Sequence, residues 1–202
     1  MKVPLADLHA QYWTIKTEID SAIQDVITRS QFILGESVTK FEKAFALAHQ
    51  VRHCVAVGSG TDALHLSLWA QGIGSGDAVI TTPFTFIATV AAISLVGARP
   101  LFVDIDPKTF TMDPARLEDC LRLAKGQSGN GRVRAVIPIH LYGQPAAMDE
   151  IQSVCRTYGV TIVEDACQAH LARYAGSFVG NFGAAATFSF YPVKNLGAFG
   201  EA

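Results

Sequence analysis

The chain alternates short apolar segments with longer segments of helical pattern, and this alternation restricts the possible folds more than any other feature. The Val-, Ile- and Ala-rich segments lie at residues 78–82, 99–106, 133–139, 160–165 and 184–190. A connection between parallel strands needs a crossover, usually a helix, and a parallel sheet is covered on both faces. We therefore expect an α/β fold: a doubly wound, mostly parallel sheet with helices on both faces.

Length and charge exclude several classes of protein. The 202 residues are enough for one core, so we expect one domain over residues 1–202. A formal net charge of −2 without a basic run gives no reason to expect nucleic-acid binding. The start of the chain lacks an apolar signal core, and the most apolar stretch, residues 89–98, is too short to span a membrane. The four scattered cysteines form no Cys-x-x-Cys pair, which indicates a reduced, cytoplasmic protein.

Two amphipathic helices are predicted before the first strand. The first covers residues 12–29, where apolar residues recur at helical spacing. The second follows Ser37, a residue type that caps helices, and contains Phe41 and Phe45.

A glycine-rich turn at Ser59, Gly60 and Thr61 joins a predicted strand at residues 54–57 to a predicted helix. Backbone N–H groups at a helix start, together with the helix dipole, form a site for phosphate. The alternative is an ordinary strand-to-helix turn with Ser59 or Thr61 as the N-cap. The turn is not a Walker loop, because no Gly-Lys-Ser/Thr follows.

Two titratable residues follow buried strands. Lys194 comes just after the apolar segment 184–190, where partial loss of water would make its amine a nucleophile toward carbonyl groups. The alternative is a solvated surface lysine. Asp165 ends the segment 160–165, and a buried carboxylate needs a partner. A cationic ring nitrogen would serve, as would a helix N-cap or a salt bridge. We interpret His140 as structural, and Asp104 and Asp106 as turn residues.

The segment Ser-Phe-Tyr-Pro-Val-Lys-Asn-Leu-Gly-Ala-Phe-Gly-Glu at residues 189–201 resembles the Schiff-base lysine segment of the DegT/DnrJ/EryC1/StrS aminotransferases. The resemblance extends from Pro4 to the last residue, with the motifs in the family's order. It implies the large domain of the fold type I transferases that use pyridoxal 5′-phosphate (PLP). By this resemblance Lys194 carries PLP, Asp165 pairs with the pyridine nitrogen, and Gln168 binds the ring hydroxyl. The remaining implied contacts are the ring stacking of Phe86 and the phosphate binding of Ser59, Gly60, Thr61 and Ser189. Simple core packing is the alternative for Phe86.

The resemblance also implies an activity. The family mostly transfers an amino group from an amino acid, such as glutamate, to a keto-sugar linked to a nucleotide, and its members are homodimers. Some members carry histidine in place of the lysine and are dehydratases, so Lys194 favours transamination. The alternative is a non-catalytic PLP-binding or regulatory protein of the same fold. Dinucleotide binding is disfavoured because Gly-x-Gly-x-x-Gly is missing.

Three departures from the family pattern stand out. Cys167 and Leu171 occupy positions where alanine and glycine are common in the family. Family members also continue beyond the lysine into a smaller C-terminal domain, which this chain lacks. We therefore expect an N-terminal portion that is inactive alone.

Overall fold

The computed structural model describes residues 3–4, 6–125 and 131–200. The chain divides into two compact units, Met1–Ala56 and Val57–Ala202. No helix within the described ranges is long and apolar enough to cross a membrane.

The first unit contains helices α1 (Leu8–Arg29) and α2 (Glu36–His49). Helix α1 begins four residues before the predicted start, because the Asp7 carboxylate accepts the Ala10 N–H at 2.9 Å and caps the first turn. The prediction of Ser37 as the cap of α2 was wrong. Gly35, with an extended backbone, is the N-cap, and it makes no side-chain cap bond. Glu36 instead places a negative charge in the first turn, where the helix dipole favours it.

The second unit alternates helices and strands around a parallel sheet. Its helices are α3 (Gly60–Ala70), α4 (Ile87–Leu95), α5 (Pro114–Lys125) and α6 (Met148–Tyr158). Its strands are β1 (Asp77–Thr81), β2 (Arg99–Phe102), β3 (Arg132–Val136), β4 (Thr161–Asp165), β5 (Arg173–Tyr174), β6 (Ser177–Phe178) and β7 (Ala185–Thr187). Five strands form one sheet in the order β2-β1-β3-β4-β7, and every pair is parallel. The predicted α/β fold is confirmed.

Helices cover both faces of this sheet. Along β3 the side chain of Val136 packs in a core with Leu117 of α5 and Ile151 of α6. Its neighbours Ala135 and Ile137 belong to a separate core that includes residues of α3 and α4. Successive residues of a strand point to opposite faces, so each strand contributes to both cores.

Three predicted strand regions differ from the structure. Strand β2 was expected to be buried, but it is an edge strand with Arg99 and Phe102 exposed. Residues 54–57 form no regular strand, and no strand in the described part of the chain pairs with them. The segment 184–190 is a strand only over Ala185–Thr187, because its pairing with β4 covers three residues.

A helix and a two-stranded hairpin were not predicted. Helix α5 begins after Asp113, whose carboxylate accepts the Ala115 N–H at 2.8 Å, with Pro114 in the first helical position. Strands β5 and β6 form an antiparallel hairpin around Ala175 and Gly176, which both have positive φ. Two residues with positive φ form the turn type whose twist matches a hairpin.

Glu164 of β4 is fully buried and organises the loop before β7. One of its carboxylate oxygens accepts the N–H groups of Phe182 and Gly183, each at 2.8 Å. The other faces the Gly180 N–H at 2.8 Å and the His140 Nε2 at 3.1 Å. The His140 Nδ1 accepts the Ala146 N–H, so the imidazole is neutral and its Nε2–H donates to Glu164. His140 is structural, as predicted.

Glu164→Gln is expected to lower the free energy of unfolding by about 3 kcal/mol. In the wild type every one of these N–H groups donates to a carboxylate oxygen, whereas in the variant some of them would face the NH₂ of the amide, which cannot accept. Chemical denaturation of both forms measures the difference. Glu150→Gln is the matched control, since Glu150 is exposed and accepts only a long 3.3 Å bond from the Tyr174 hydroxyl. Equal losses in the two variants would contradict the role given to Glu164.

Candidate active site

The predicted site residues of the second unit gather at the carboxyl edge of the sheet. Strand β4 ends at Asp165, and the neighbouring strand β7 ends at Thr187, which is its partner in register. Ser189 lies two residues beyond β7, and not inside a strand as predicted. In open parallel sheets, ligands bind beyond the carboxyl ends of the strands.

Helix α3 begins at this edge with Ser59 as its N-cap. The Ser59 hydroxyl accepts the Asp62 N–H at 3.1 Å and lies 3.0 Å from the Asp62 carboxylate, to which it donates. The capping alternative for Ser59 is therefore observed. It does not compete with anion binding, because the first N–H groups of a helix have no acceptor within the helix. The backbone of Gly60 and Thr61 is the part of this turn that can bind a phosphate.

Gly60 touches two segments that lie more than one hundred residues further along the chain. A Cβ atom on Gly60 would come within 2.8 Å of the Ser189 Cβ and 3.2 Å of the Cys167 Sγ. Only glycine lets the start of α3 approach so closely. The contact places the Ser189 hydroxyl beside the N-terminus of α3. The structure therefore brings together Gly60 and Ser189, two of the residues predicted to bind the phosphate.

Asp165 is 6% exposed and held from several sides. Its Oδ2 accepts the Thr89 hydroxyl at 2.7 Å, and its Oδ1 accepts the Cys167 N–H at 3.2 Å. Its backbone N–H and carbonyl are bonded to Pro138 and His140. The carboxylate therefore has a defined orientation, and neither a salt bridge nor a helix N-cap, the alternatives considered, involves it among the described residues.

Gln168 lies half-buried three residues beyond Asp165, with its amide oxygen on the Tyr142 N–H at 2.8 Å. A backbone N–H can only donate, so the oxygen of the amide must face Tyr142. The NH₂ end remains as a donor for a ligand oxygen. Tyr142 itself has a positive φ of 53°, an uncommon conformation for a non-glycine residue.

Phe86 is the N-cap residue of α4 and is 66% exposed, so the core-packing alternative is wrong for this ring. Its carbonyl accepts the N–H of Thr89, the residue that contacts Asp165. Phe86 therefore stands one helical turn before Thr89, the residue that donates to the carboxylate.

Lys194 lies in a tight loop after β7 and is half-buried. Its N–H donates to the Tyr191 carbonyl at 2.8 Å, and the Ala198 N–H donates to the Phe190 carbonyl at 2.7 Å. The loop turns so sharply that a Cβ on Gly197 would overlap the Pro192 carbonyl. This closure fixes the backbone on both sides of Lys194.

Cys167 lies between Asp165 and the start of α3. Burial raises the pKa of its thiol, the Asp165 charge raises it further, and the positive charge of Lys194 acts in the opposite direction. Lys194 is thus near enough to Cys167 for its charge to be felt. The Cys167 N–H donates to Asp165 and its Sγ adjoins Gly60, so this residue links the carboxylate to the start of α3.

The arrangement fits PLP. Its phosphate matches the N–H groups at the start of α3 beside the Ser189 hydroxyl, and its ring nitrogen matches a buried carboxylate that accepts two donors. Its ring hydroxyl matches the NH₂ of Gln168. By contrast, no group of three or more His, Cys, Asp or Glu side chains in the described ranges could hold a metal ion.

Sequence reasoning missed Thr89 and Tyr142, which hold Asp165 and Gln168. Thr89 had a weak signal, since Thr85 stands four residues before it and both fall on one face of a helical turn. Tyr142 had none, because it contributes only its backbone N–H.

Gly60→Ala is expected to weaken PLP binding at least about tenfold and to cost about 1–3 kcal/mol of stability, because the new methyl forces α3 away from Ser189. Fluorescence titration with PLP and thermal unfolding measure the two effects. Gly74→Ala is the control, since its Cβ would meet only the Val96 carbonyl at 3.5 Å. Unchanged affinity in Gly60→Ala would exclude this contact from the phosphate site.

Known proteins resemble this chain in sequence. Residues 13–202 match the model of the DegT/DnrJ/EryC1/StrS aminotransferase family. The pleiotropic regulatory protein of Geobacillus stearothermophilus is 46% identical over 201 residues, which are 100% of this chain and 52% of that protein. The dTDP-3-amino-3,4,6-trideoxy-alpha-D-glucose transaminase of Streptomyces venezuelae is 42% identical, with 99% of this chain and 51% of that protein covered. The chain spans about half the length of these relatives.

Solved structures give the same result. A DegT/DnrJ/EryC1/StrS aminotransferase from Brucella abortus superimposes with a TM-score of 0.95 at 37% identity, over 98% of this chain and 53% of that one. The NtdA protein of Bacillus subtilis, solved with bound cofactor PMP, superimposes with a TM-score of 0.85 at 31% identity, over 98% and 43% of the two chains.

Proposed function

Because this chain belongs to the DegT/DnrJ/EryC1/StrS aminotransferase family, we propose that its protein is a PLP-dependent aminotransferase acting on a nucleotide-linked keto-sugar. The amino group would come from an amino acid, with glutamate as the expected donor. Residues 1–202 would form the PLP-binding large domain, and a further C-terminal domain would complete the substrate site.

The observation that carries the proposal is the contact of Gly60 with Ser189 and Cys167. It joins a helix N-terminus suited to phosphate, the backbone next to Asp165, and the segment that leads to Lys194. A plain strand-to-helix turn has no need for a buried carboxylate and a lysine loop at the same edge of the sheet. PLP needs all three, because it presents a phosphate, a ring nitrogen and a carbonyl carbon.

Each residue then has a distinct task. PLP, when bound, supplies the electron-withdrawing ring that makes a C–H bond of the amino donor acidic. Gly60, Thr61 and Ser189 bind the phosphate, and Ser59 holds the first turn of α3 in place through Asp62. Asp165 keeps a proton on the ring nitrogen, Phe86 covers one face of the ring, and Gln168 donates to its hydroxyl.

Lys194 has two tasks. Its Nζ would hold the cofactor through the carbonyl carbon, with the carbonyl oxygen leaving as water, and the free amine would accept and return a proton at the substrate carbon. The turn closed by Tyr191 and Gly197 limits how far the side chain can move away. Both tasks need the amine to stay within reach of the ring, which a fixed backbone favours.

The sugar substrate is proposed from the relatives. The Streptomyces venezuelae relative is a transaminase whose name contains a dTDP-linked amino sugar. Two further relatives carry erythromycin biosynthesis and spore coat polysaccharide biosynthesis in their names, and we propose a product of the same class here.

A second function is a regulatory protein that binds PLP without turnover. The Geobacillus relative is named as a regulatory protein and is 46% identical to this chain. Lys194 is compatible with both functions, because either protein would attach PLP through this amine.

A half-reaction separates the two functions. The full-length protein is loaded with PLP and mixed with glutamate without a sugar, and the visible absorption and the 2-oxoglutarate formed are followed. An aminotransferase is expected to lose the PLP absorption and form one 2-oxoglutarate per site. Stable absorption with glutamate, and with other amino acids in turn, would support the regulatory function.

The proposal includes a homodimer. None of the 22 residues of α1, all of which are described, is buried, and Trp13, Ile23 and Ile27 expose 58%, 45% and 49% of their surface. An amphipathic helix of this kind usually buries its apolar side against another element. Light scattering of the full-length protein is expected to give twice the subunit mass.

A further inference from the structure

Two threonine hydroxyls stand in line behind the carboxylate of Asp165. The Thr89 hydroxyl lies 2.7 Å from the Asp165 Oδ2, and the Thr85 hydroxyl lies 2.9 Å from that of Thr89. Thr89 is 1% exposed, and Thr85 is half-buried. The line begins near the start of α4 and ends at the carboxyl end of β4. Thr89 and Asp165, which its last bond joins, are 76 residues apart in sequence.

The direction of these hydrogen bonds follows from chemistry. An ionised carboxylate can only accept, so the Thr89 hydroxyl must donate to Asp165. Its single proton is then used, and toward Thr85 its oxygen can only accept. The Thr85 hydroxyl therefore donates to Thr89. Successive donors in one direction polarise each other and strengthen the final bond to the carboxylate.

The other carboxylate oxygen is bonded differently. The Asp165 Oδ1 accepts the Cys167 N–H at 3.2 Å, a bond that any residue except proline would provide at position 167. The short bond to the Asp165 Oδ2 comes from the Thr89 side chain, and it requires a hydroxyl at this position. Substitution at Thr89 therefore changes one donor and leaves the backbone donor in place.

We propose that Thr89 is a positioning residue for the cofactor, acting through Asp165, and that Thr85 supports it. This inference rests on the proposed function. By donating to Asp165, Thr89 stabilises the ionised carboxylate and fixes its plane. A carboxylate stabilised in this way competes less for the proton that it shares with the pyridine nitrogen, so the proton stays on the ring. Neither threonine touches the reacting atoms.

The test compares PLP with an analogue that carries carbon in place of the pyridine nitrogen. Both have the phosphate, the hydroxyl and the carbonyl carbon, but only PLP can pair with Asp165. Binding to the full-length protein is measured for Thr89→Val, Thr89→Ser and Thr85→Val. Thr157→Val on α6 is the matched control, since its exposed hydroxyl donates only to the Ser153 carbonyl.

Thr89→Val is expected to weaken PLP binding about tenfold and to leave binding of the analogue within about twofold of the wild type. Thr89→Ser keeps the hydroxyl and should retain the wild-type affinity for PLP. Thr85→Val removes only the supporting donor, with an expected loss of about threefold for PLP alone. The control should change neither affinity.

Each contrary result has a definite meaning. Equal losses for PLP and the analogue in Thr89→Val would assign Thr89 to general packing and overturn the inference. An unchanged affinity for PLP in Thr89→Val would overturn the inference as well, while leaving the proposed function intact.

If the wild type bound neither PLP nor the analogue, the proposed function would fail. If Thr89→Val did not fold, Thr85→Val would decide, and equal affinities for PLP in that variant and the wild type would overturn the inference.

Discussion

Lys194→Ala is expected to abolish covalent attachment of PLP and to slow amino transfer by about a thousandfold or more. The variant loses both the amine that binds the cofactor and the group that moves the proton. The fold should survive, because the Lys194 side chain is only half-buried and its backbone bond to Tyr191 does not depend on the side chain.

Borohydride reduction with PLP present, followed by mass spectrometry of the peptides, measures the attachment in the full-length protein. The label is expected on Lys194 in the wild type and on no residue of this chain in the variant. Lys108→Ala is the control, since Lys108 lies exposed in the turn after Asp106. A label that persists on another lysine in Lys194→Ala, with catalysis retained, would show that Lys194 is not the attachment residue.

Asp165→Asn is expected to slow the half-reaction with glutamate by about 10²- to 10³-fold, while PLP still binds. An amide cannot hold a proton on the pyridine nitrogen, so the ring withdraws electrons less strongly. The fold should tolerate the change. The amide oxygen can keep the Cys167 N–H, and the Thr89 hydroxyl can rotate to accept from the new NH₂.

Rapid mixing with glutamate measures the half-reaction, and the absorption of bound PLP shows that the cofactor is present. Asp104→Asn provides the control, because Asp104 is exposed after β2 and its carboxylate accepts the Ile105 N–H. A rate near that of the wild type in Asp165→Asn would remove the carboxylate from the mechanism. Complete loss of PLP binding in Asp165→Asn would show that Asp165 is needed to bind PLP, and not only to activate it.

The two variants separate attachment from activation. Lys194→Ala removes the covalent bond and leaves the ring nitrogen paired with Asp165, whereas Asp165→Asn does the reverse. A protein that only binds PLP would lose attachment in the first variant and show no half-reaction even as wild type. The pattern across wild type and both variants therefore tests the enzyme against the regulatory alternative.

The sequence by itself determined the fold class and the family. Apolar segments of strand length between helical segments indicate a parallel sheet because buried strands and crossover helices leave different periodicities. The motifs around Ser59, Asp165 and Lys194 gave the family, which the match over residues 13–202 confirms. The roles of the individual site residues stay predictions.

Other features depended on contacts between distant segments, which leave no local pattern. Residues 54–57 have strand composition but no partner strand in the described part of the chain, and a strand exists only through its neighbour's hydrogen bonds. Ser189 leaves β7 for the same reason, since the ladder with β4 ends at Thr187. The exposure of Phe86 was equally undecided, because an aromatic residue has the same signature in a core and over a cofactor.

The tertiary structure alone decided which groups support the site. Gly60 is needed because Ser189 and Cys167 approach it, and the sequence showed only a glycine in a turn. Thr89 matters because α4 brings it to within 2.7 Å of Asp165, and the Tyr142 N–H determines which end of the Gln168 amide remains for a ligand. Each of these roles depends on the distance or the orientation between two segments that are far apart in the chain. Periodicity and motif report local conformation, and such distances arise only once the segments pack.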